Sequence, residues 1–404
     1  MDLTTAHSQV PHARTYSPIS VSPLFSDVHE AFRLQIRKFV DEKVKSRGDE
    51  WEVSGYVDRD TLAEMGAHGF LGIRFESQYG GSELDALATV VLAEELGRST
   101  FGGFSITVLA HTDMAAVHVS GSGSDYLKSM YMSDIVAGRK IMAIAVTEAD
   151  AGSDVKGLRT TAVRTGDEYV LNGSKTYITN GVFGDLVCVA ARTVSENISP
   201  KEPPSKSISM FLIERGNPGL RVGRVLQKHG WRSSDTAELF FENCRVPASH
   251  LLGCEGQGFK SLMRNFQNER LVLGAMAVGE SQTAIDLTLD WVRLRKAFGA
   301  SLWQNQTIRH KLAMLQAQVE AARQLVYHAA WIDNVGADAT KQVAMVKALC
   351  GELVNDVLYT CLQFHGGAGC MSGAVIERMA RDARIHSIGG GATEVMLEEV
   401  AKRM

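Results

Sequence analysis

The 404-residue sequence contains no apolar run that approaches the roughly 20 residues a membrane-spanning helix needs. It also has no excess of positive charge, because 42 Lys and Arg side chains are outnumbered by 46 Asp and Glu, for a net charge of −4. Basic patches are what nucleic acid and anionic membrane surfaces attract. The composition therefore argues against a nucleic-acid or membrane partner.

The sequence also lacks the patterns of metal sites and disulfide frameworks. The six cysteines are scattered, and no pair has the spacing of a zinc site or a redox motif. The twelve histidines show no metal-site spacing either. We therefore expect reduced thiols and no bound metal.

The first 24 residues lack the features of a targeting segment. They contain several prolines and hydroxyl side chains, but no apolar core and only one strong base, Arg14. This pattern fits neither a secretory signal nor a mitochondrial presequence. We expect a flexible N-terminal arm over residues 1–24 and a cytoplasmic protein.

What is present is an ordinary globular composition, with 45 % apolar and 22 % charged residues, and enough length for two or three packed units. The pattern is helical from residue 27 to about 140, alternates with period two from 141 to about 246, and is helical again from 256. The predicted fold class is α+β, with an N-terminal helical domain (25–140), a middle all-β domain (141–253) and a C-terminal antiparallel helical bundle (254–404).

Local signals place several elements within these domains. Asp27 can cap the first helix, and Gly166-Asp167 and Asn172-Gly173 predict two hairpin turns. His111 and Asp113 lie two residues apart, on different faces of a predicted helix, and receive no catalytic role. The main predicted helices are Leu84 to Leu96, Ser105 to Val119, Asp125 to Val136, and about 258–296, 307–333, 338–364 and 394–403.

The most informative stretch is Ala145 to Gly157, which reads AVTEADAGSDVKG. It begins with the alternation of a strand and breaks into a loop of small and polar residues. Thr147, Ser153 and free backbone N–H groups offer donors to an electron-rich ligand at the strand end. The alternative is an ordinary turn in which aspartates bond their own backbone.

The order of these residues favours a ligand-binding loop over an ordinary turn. The loop resembles the first signature of the acyl-CoA dehydrogenase family at every fixed position: Ala145, Val146, Thr147, Glu148, Ala151, Gly152, Ser153, Asp154 and Gly157. The resemblance implies an N-terminal α-helical domain, a middle β-barrel domain, a C-terminal four-helix bundle and FAD as the cofactor. It implies that Ile144, Val146, Thr147, Gly152 and Ser153 bind the cofactor, and that Ser153 also meets the acyl thioester.

Two further stretches resemble flavin-binding segments of the same family. Tyr177, Ile178 and Thr179 match its aromatic-Ile-Thr strand, whose ring lies against the flavin, although Tyr and Thr are also common strand residues. Arg295, Phe298 and Gln306 match residues that reach the FAD of a neighbouring subunit. Arginine suits a pyrophosphate because its planar fork forms bidentate bonds; the alternative is a solvated Arg at a basic helix end.

The run QFHGGAG resembles the second family signature. The resemblance gives Gln363, Gly366 and Gly367 a role in binding the cofactor, because glycine lets backbone approach a ligand closely. Cys370 and Gly373 depart from the family pattern. Thr393 and Glu394, further along the chain, are also expected to contact the cofactor.

The catalytic base is the position where this chain departs from most of the family. Dehydrogenation of a thioester needs a carboxylate to remove the α-proton while hydride leaves the β-carbon for the flavin. The usual Glu position is Gly390. Long-chain and isovaleryl-type members place the base in a Glu-Arg pair on the first bundle helix, and Glu269-Arg270 stands there in this chain.

Helical spacing supports this choice independently. Glu269 falls in an apolar stripe with Leu262, Phe266, Leu273 and Met276. Burial there should raise the pKa of its carboxyl towards the range of a general base. The alternative is a structural Glu paired to an Arg of the bundle.

The resemblance also implies contacts for the substrate. The backbone N–H of residue 390 would bind the thioester oxygen, so Gly390 keeps a catalytic role without a side chain. Ala110 is expected near the bottom of the acyl pocket, and the small residues at 110 and 390 leave space for a medium, long or branched chain. Asn268, Arg270 and Gly391 complete the expected substrate contacts.

The predicted function is an FAD-dependent acyl-CoA dehydrogenase that forms a trans-2-enoyl-CoA in lipid metabolism and passes electrons to electron-transfer flavoprotein. FAD contacts shared between subunits would require a dimer or tetramer. Three alternatives remain at this point: a flavin monooxygenase of the same fold, a dehydrogenase of carrier-protein thioesters, and a non-catalytic assembly partner.

Overall fold

A computed structural model describes residues 22–196, 198 and 203–404. Most of the predicted arm, residues 1–21, lies outside the described residues. The described chain forms a helical domain, a β-sheet domain and a second helical domain in that order, which confirms the predicted fold class. None of the helices in these ranges is both long and apolar enough to cross a membrane.

The N-terminal helices differ from the sequence prediction in two places. Ser26, not Asp27, is the N-cap of the first helix, because its backbone is extended while Asp27 already lies in the helix. The single helix predicted from Ser105 to Val119 is interrupted by a π-helical turn, Ala110–Ala116. The helices are α1 Asp27–Phe39, α2 Lys45–Ser54, α3 Arg59–Ala67, α4 Ala86–Gly97, α5 Gly102–Leu109, α6 Val117–Ser122 and α7 Asp125–Val136, with a second π-helical turn at Val40–Val44.

The middle domain is one sheet in which the strand order is β6-β7-β3-β2-β4-β5-β8, with β1 added parallel to β4. The turn predicted at Gly166-Asp167 joins β2 to β3, but the one predicted at Asn172-Gly173 is wrong because this dipeptide lies inside β3 at a register shift. The strands are β1 Met142–Ala145, β2 Thr161–Thr165, β3 Glu168–Thr179, β4 Leu186–Val194, β5 Ile208–Glu214, β6 Leu220–Val225, β7 Thr236–Pro247 and β8 Leu251–Leu252.

The C-terminal domain is built on three long helices and two short ones. The long helices agree with the predicted ones to within a few residues, whereas the helix at Val375–Ala383 was not predicted because it follows a glycine-rich segment. The elements are α8 Gly258–Leu294, a short hairpin of β9 Lys296–Ala297 and β10 Ala300–Ser301, α9 Gln306–Asn334, α10 Thr340–His365, α11 Val375–Ala383 and α12 Thr393–Ala401.

Two glycines let α4 of the first domain cross α8 of the third at backbone contact. A Cβ on Gly279 would lie 2.1 Å from the carbonyl oxygen of Glu94, and one on Gly97 would lie 2.3 Å from that of Met276. Both distances are shorter than any real contact, so each helix needs glycine where it meets the other. One continuous apolar core therefore spans the two helical domains.

We expect Gly279→Ala to destabilise the protein by about 1–3 kcal/mol or more, because the added methyl group must force the two backbones apart. The shift of the urea unfolding midpoint measures this. Gly121→Ala is the matched control: Gly121 lies in α6, and a Cβ there meets nothing within 4 Å. An unchanged midpoint for Gly279→Ala would contradict the close crossing.

Candidate active site

A buried carboxylate holds the loop that follows β1. Glu148 accepts hydrogen bonds from the backbone N–H groups of Arg159 and Thr160 and from Nζ of Lys175, at 2.5, 2.9 and 2.7 Å. Glu148 and Ala151 also pair through both backbone groups. Glu148 thus ties the two ends of the loop together, a role that the sequence pattern alone does not reveal.

Lys175 and Glu148 form a buried ion pair beneath this loop. Burial raises the pKa of the Glu148 carboxyl, but the charge of Lys175 and the hydrogen bonds from Lys175, Thr160 and Arg159 outweigh it, so the net pKa is lowered. Burial lowers the pKa of Lys175 to about 8, partly offset by Glu148. The loop is anchored from below, which leaves Gly152 and Ser153 exposed at its surface and Ile144, Val146 and Thr147 half-buried along the strand end.

Tyr177 projects from an irregularity in β3. The register with β7 shifts between Lys175 and Ile178, and Tyr177 has a φ of 61°. β-bulges redirect side chains, and a bulky residue in this region of φ is strained. The Tyr177 ring is 70 % exposed, whereas Ile178 is buried and Thr179 half-buried. The strand therefore presents a flat aromatic face outward.

The third and fourth predicted segments meet at one end of the helical bundle. The indole N–H of Trp291, near the end of α8, donates to the carbonyl of Phe364 at 3.1 Å, and the Trp291 ring stacks on His365 at 5.1 Å. This contact brings together two groups of exposed residues, namely Arg295, Phe298 and Gln306 after α8, and Gln363, Gly366 and Gly367 at the end of α10. Phe298 is fully exposed.

Glu269 is buried on α8, as the apolar stripe predicts, at 7 % exposure. Its Oε1 accepts one hydrogen bond, from the amide of Asn265 one turn earlier, at 3.0 Å. It forms no ion pair with a residue in the described ranges, and Arg270 instead lies over the ring of Phe266. Burial raises the pKa of Glu269 to about 8, against smaller lowering effects of Asn265 and Arg270.

The π-helical turn at Ala110–Ala116 holds the part of α8 that carries Glu269. The amide of Asn265 also donates to the backbone carbonyls of Asp113 and Met114, each at 3.2 Å. The amide of Asn268 donates to the Asp113 carboxylate at 3.1 Å. A helix widened by one residue leaves such carbonyls available to side chains.

Asp113, which sequence analysis set aside, is therefore part of this site. It is buried, and burial raises the pKa of its carboxyl. Its negative charge also raises the pKa of Glu269. The missed signal was the π-helical turn, which a regular helical repeat does not reveal. His111 has a structural role, because its ring bonds the backbone of Ile135 and Met142.

Gly390 faces α8 at Leu273, which lies one helical turn after Glu269. Its φ is +68°, and a Cβ there would lie 2.4 Å from Cδ1 of Leu273. Leu273 occupies the place that a side chain at 390 would need. At the adjacent Gly391, a Cβ would lie 3.4 Å from Nε of Arg270.

The remaining predicted residues take mixed positions. Ala110 is buried at the start of the π-helical turn, in the core that α8 shares. Thr393 donates its hydroxyl to Glu352 at 2.7 Å, and Glu394 is exposed in the first turn of α12.

The exposed groups suit a large, flat, anionic cofactor. Tyr177 offers a face for a ring, and the open space above Gly152, Gly366 and Gly367 admits a ligand, since a Cβ at each meets nothing within 4 Å. Exposed Arg295 offers a donor for phosphate.

Each of the three domains matches a known family. Sequence models of the N-terminal, middle and C-terminal domains of acyl-CoA dehydrogenase match residues 26–139, 143–244 and 256–404. The chain is 38 % identical over 401 residues to the rat long-chain specific acyl-CoA dehydrogenase, mitochondrial, covering 99 % of this chain and 91 % of the relative. It is 33 % identical over 372 residues to isovaleryl-CoA dehydrogenase, mitochondrial, of Pongo abelii, covering 92 % and 87 %.

Solved structures agree with these matches. A probable acyl-CoA dehydrogenase from Mycobacterium abscessus superposes with a TM-score of 0.90 at 38 % identity, covering 94 % of this chain and 99 % of that one. A chain from a structure titled for the electron transferring flavoprotein of Acidaminococcus fermentans gives 0.89 at 33 %, covering 94 % and 98 %. The FAD complex of PigA gives 0.88 at 28 %, also covering 94 % and 98 %. The chain belongs to the acyl-CoA dehydrogenase family and is an oxidoreductase whose cofactor is FAD.

Proposed function

We propose that this protein removes the α-proton of an acyl-CoA with Glu269 and forms the trans-2-enoyl-CoA. The observation that carries the proposal is a buried carboxyl, free of any ion pair within the described ranges, on the turn of α8 next to the one that faces Gly390. A carboxyl whose pKa burial raises to about 8 is a stronger base near neutral pH than an exposed one.

In this proposal the chain supplies both the base that takes the proton and a hydrogen-bond donor for the thioester oxygen. The α C–H bond of the thioester breaks, its proton passes to the Glu269 carboxylate, and the electron pair moves towards the thioester carbonyl. We expect the backbone N–H of Gly390 to donate to the carbonyl oxygen as negative charge develops there. A donor of this kind contributes on the order of 3 kcal/mol to the rate in other enzymes.

When bound, FAD would supply the acceptor for a hydride, that is the β-hydrogen with the electron pair of its C–H bond, as the double bond forms. Residues proposed to hold the ring side of the cofactor are Ile144, Val146, Thr147, Gly152, Ser153, Tyr177, Ile178 and Thr179. Residues proposed for its other parts, in part on a neighbouring subunit, are Arg295, Phe298, Gln306, Gln363, Gly366, Gly367, Thr393 and Glu394. We expect a dimer or tetramer for this reason.

The proposed substrate class rests on the small residue Ala110, expected near the bottom of the acyl pocket, which suits a medium, long or branched acyl chain. The space that the sequence predicted beside Gly390 is taken up by Leu273 and does not support this proposal. Ser153, Asn268, Arg270 and Gly391 are the further proposed substrate contacts. The similarity to a chain from an electron transferring flavoprotein structure supports electron-transfer flavoprotein as the acceptor. The cytoplasmic location stays a prediction from residues 1–24.

Glu269→Gln should bind FAD and acyl-CoA but lose about 10²-fold or more in the rate at which acyl-CoA reduces the flavin, because the amide cannot accept the proton. Anaerobic stopped-flow bleaching of the flavin measures this. Glu50→Gln, at an exposed carboxyl of α2, is the matched control and should reduce at the wild-type rate.

Normal reduction in Glu269→Gln would overturn the assignment of the base. Fast reoxidation of the flavin by oxygen without acyl-CoA would favour a monooxygenase. Bleaching by acyl-carrier-protein thioesters and not by acyl-CoA would favour the carrier-protein enzyme, and no bleaching by either would favour the assembly partner.

The wild-type reduction rate should rise as the pH increases towards about 8. The reason is that only the ionised form of Glu269 accepts a proton, and burial raises the pKa of this group to about 8. The charge of Arg270 lowers the pKa of Glu269, whereas the charge of Asp113 raises it. A second-order rate constant for reduction at limiting acyl-CoA that is flat between about pH 6 and 8 would contradict the raised pKa.

Glu269→Gln should also stabilise the protein, and more so at pH 9 than at pH 5. Between its ordinary pKa of 4.5 and the raised value of about 8, Glu269 keeps its proton in the folded state but loses it on unfolding. Unfolding then releases a proton, so stability falls as pH rises through this window. Urea midpoints of both proteins at the two pH values measure the difference, and an equal gain at both would contradict burial of the charge.

A further inference from the structure

A buried lysine lies behind the segment that carries Gly390. Lys347 on α10 is 1 % exposed, and its Cε lies 3.7 Å from the position that a Cβ on Gly390 would occupy. Its Nζ donates to the backbone carbonyls of His386 and Gly391, at 2.5 and 3.0 Å. These two acceptors bracket Gly390 in the sequence.

Lys347 belongs to one face of α10 that grips this segment. One turn later, Gly351 lets the helix approach so closely that a Cβ would lie 2.8 Å from the carbonyl oxygen of His386. One turn further, the amide of Asn355 donates to the carbonyl of Ala383 at 3.1 Å. Three successive turns of this face therefore contact the 383–391 segment. The turn that carries Lys347 is the one next to Gly390.

The positive charge of Lys347 is unusual for its surroundings. Its Nζ makes no ion pair with any described carboxylate, although burying an ammonium group without a counter-charge is costly. Burial and the nearby charge of Arg270 lower the pKa of Lys347 to about 8. A neutral hydrogen-bond donor could bond the same two carbonyls at a lower desolvation cost, so hydrogen bonding alone does not explain a charged side chain here.

We propose that Lys347 is a positioning residue for proton removal: it fixes the backbone on both sides of Gly390, so that the Gly390 N–H meets the thioester oxygen, and its charge favours the negative charge that develops there. This inference rests on the proposed function. It adds a residue on α10 that touches neither substrate nor cofactor and acts through the Gly390 amide.

The proton step can be measured without flavin reduction. In a 3-thia-acyl-CoA, sulfur replaces the β-carbon, so the α-proton can leave but the two electrons cannot follow. Exchange of the α-protons for deuterium in D₂O, followed by mass spectrometry on FAD-loaded protein, reports proton removal alone. Binding of the same analogue is measured separately from the flavin absorbance.

Lys347→Met should lower the α-proton exchange rate of the bound analogue about 10-fold or more, while its Kd changes less than about threefold. Lys347→Gln keeps a hydrogen-bond donor without the charge and should exchange more slowly than wild type but faster than the Met variant. Asn355→Ala is the control, because it weakens the same helix face at Ala383, away from Gly390. It should lower the unfolding midpoint and leave exchange unchanged.

Wild-type exchange in Lys347→Met would overturn the proposal. If this variant does not fold, Lys347→Gln decides by the same criterion, since wild-type exchange there would equally overturn it. Equal slowing in Asn355→Ala would also overturn it by showing that any loosening of the segment suffices. The outcome is separate from the proposed base: exchange lost in Lys347→Met but normal in Glu269→Gln would mean that Glu269 has been misassigned, whereas the reverse result rejects Lys347 alone.

Discussion

The site depends on a carboxyl that is taken out of water without an ion pair to any cation in the described part of the chain. Desolvation of an unpaired carboxylate is costly, and the protein meets this cost by a raised pKa and not by an ion pair. The neutral amide of Asn265 orients Glu269 without neutralising it. The same amide reaches the carbonyls of the π-helical turn, so orientation of the base depends on contact between the first and third domains.

The rest of the fold keeps that contact in place. The two glycines at the crossing of α4 and α8 allow the helices to touch through their backbones, and one apolar core joins the two helical domains. On the other side of α8, Leu273 fills the space where a side chain at 390 would lie. The geometry thus leaves no room for a side chain at 390 unless Leu273 moves.

Much of this was predictable from the sequence. The change of hydrophobic period separated the three domains, and the helical spacing placed Glu269 on a buried stripe that the structure confirms. The resemblance supplied the family and FAD, which the comparisons confirm. The roles of the individual residues in holding cofactor and substrate stay predictions.

The rest could not be predicted because it depends on contacts between distant segments. The π-helical turn breaks the regular repeat, so sequence analysis assigned Asp113 no role beside Glu269. The Asn172-Gly173 dipeptide looks like a turn, yet the partner strand β7 continues past it and absorbs it as an irregularity. Lys347 gives no local signal, since its acceptors lie about 40 residues further along the chain.

The most direct measurement is an infrared pH titration of the Glu269 carboxyl in the resting enzyme, assigned by subtracting the spectrum of Glu269→Gln. The account predicts a protonated C=O band that disappears with a midpoint near pH 8. A midpoint near the ordinary value of 4.5 would mean that Glu269 is solvated or paired, and would contradict the account.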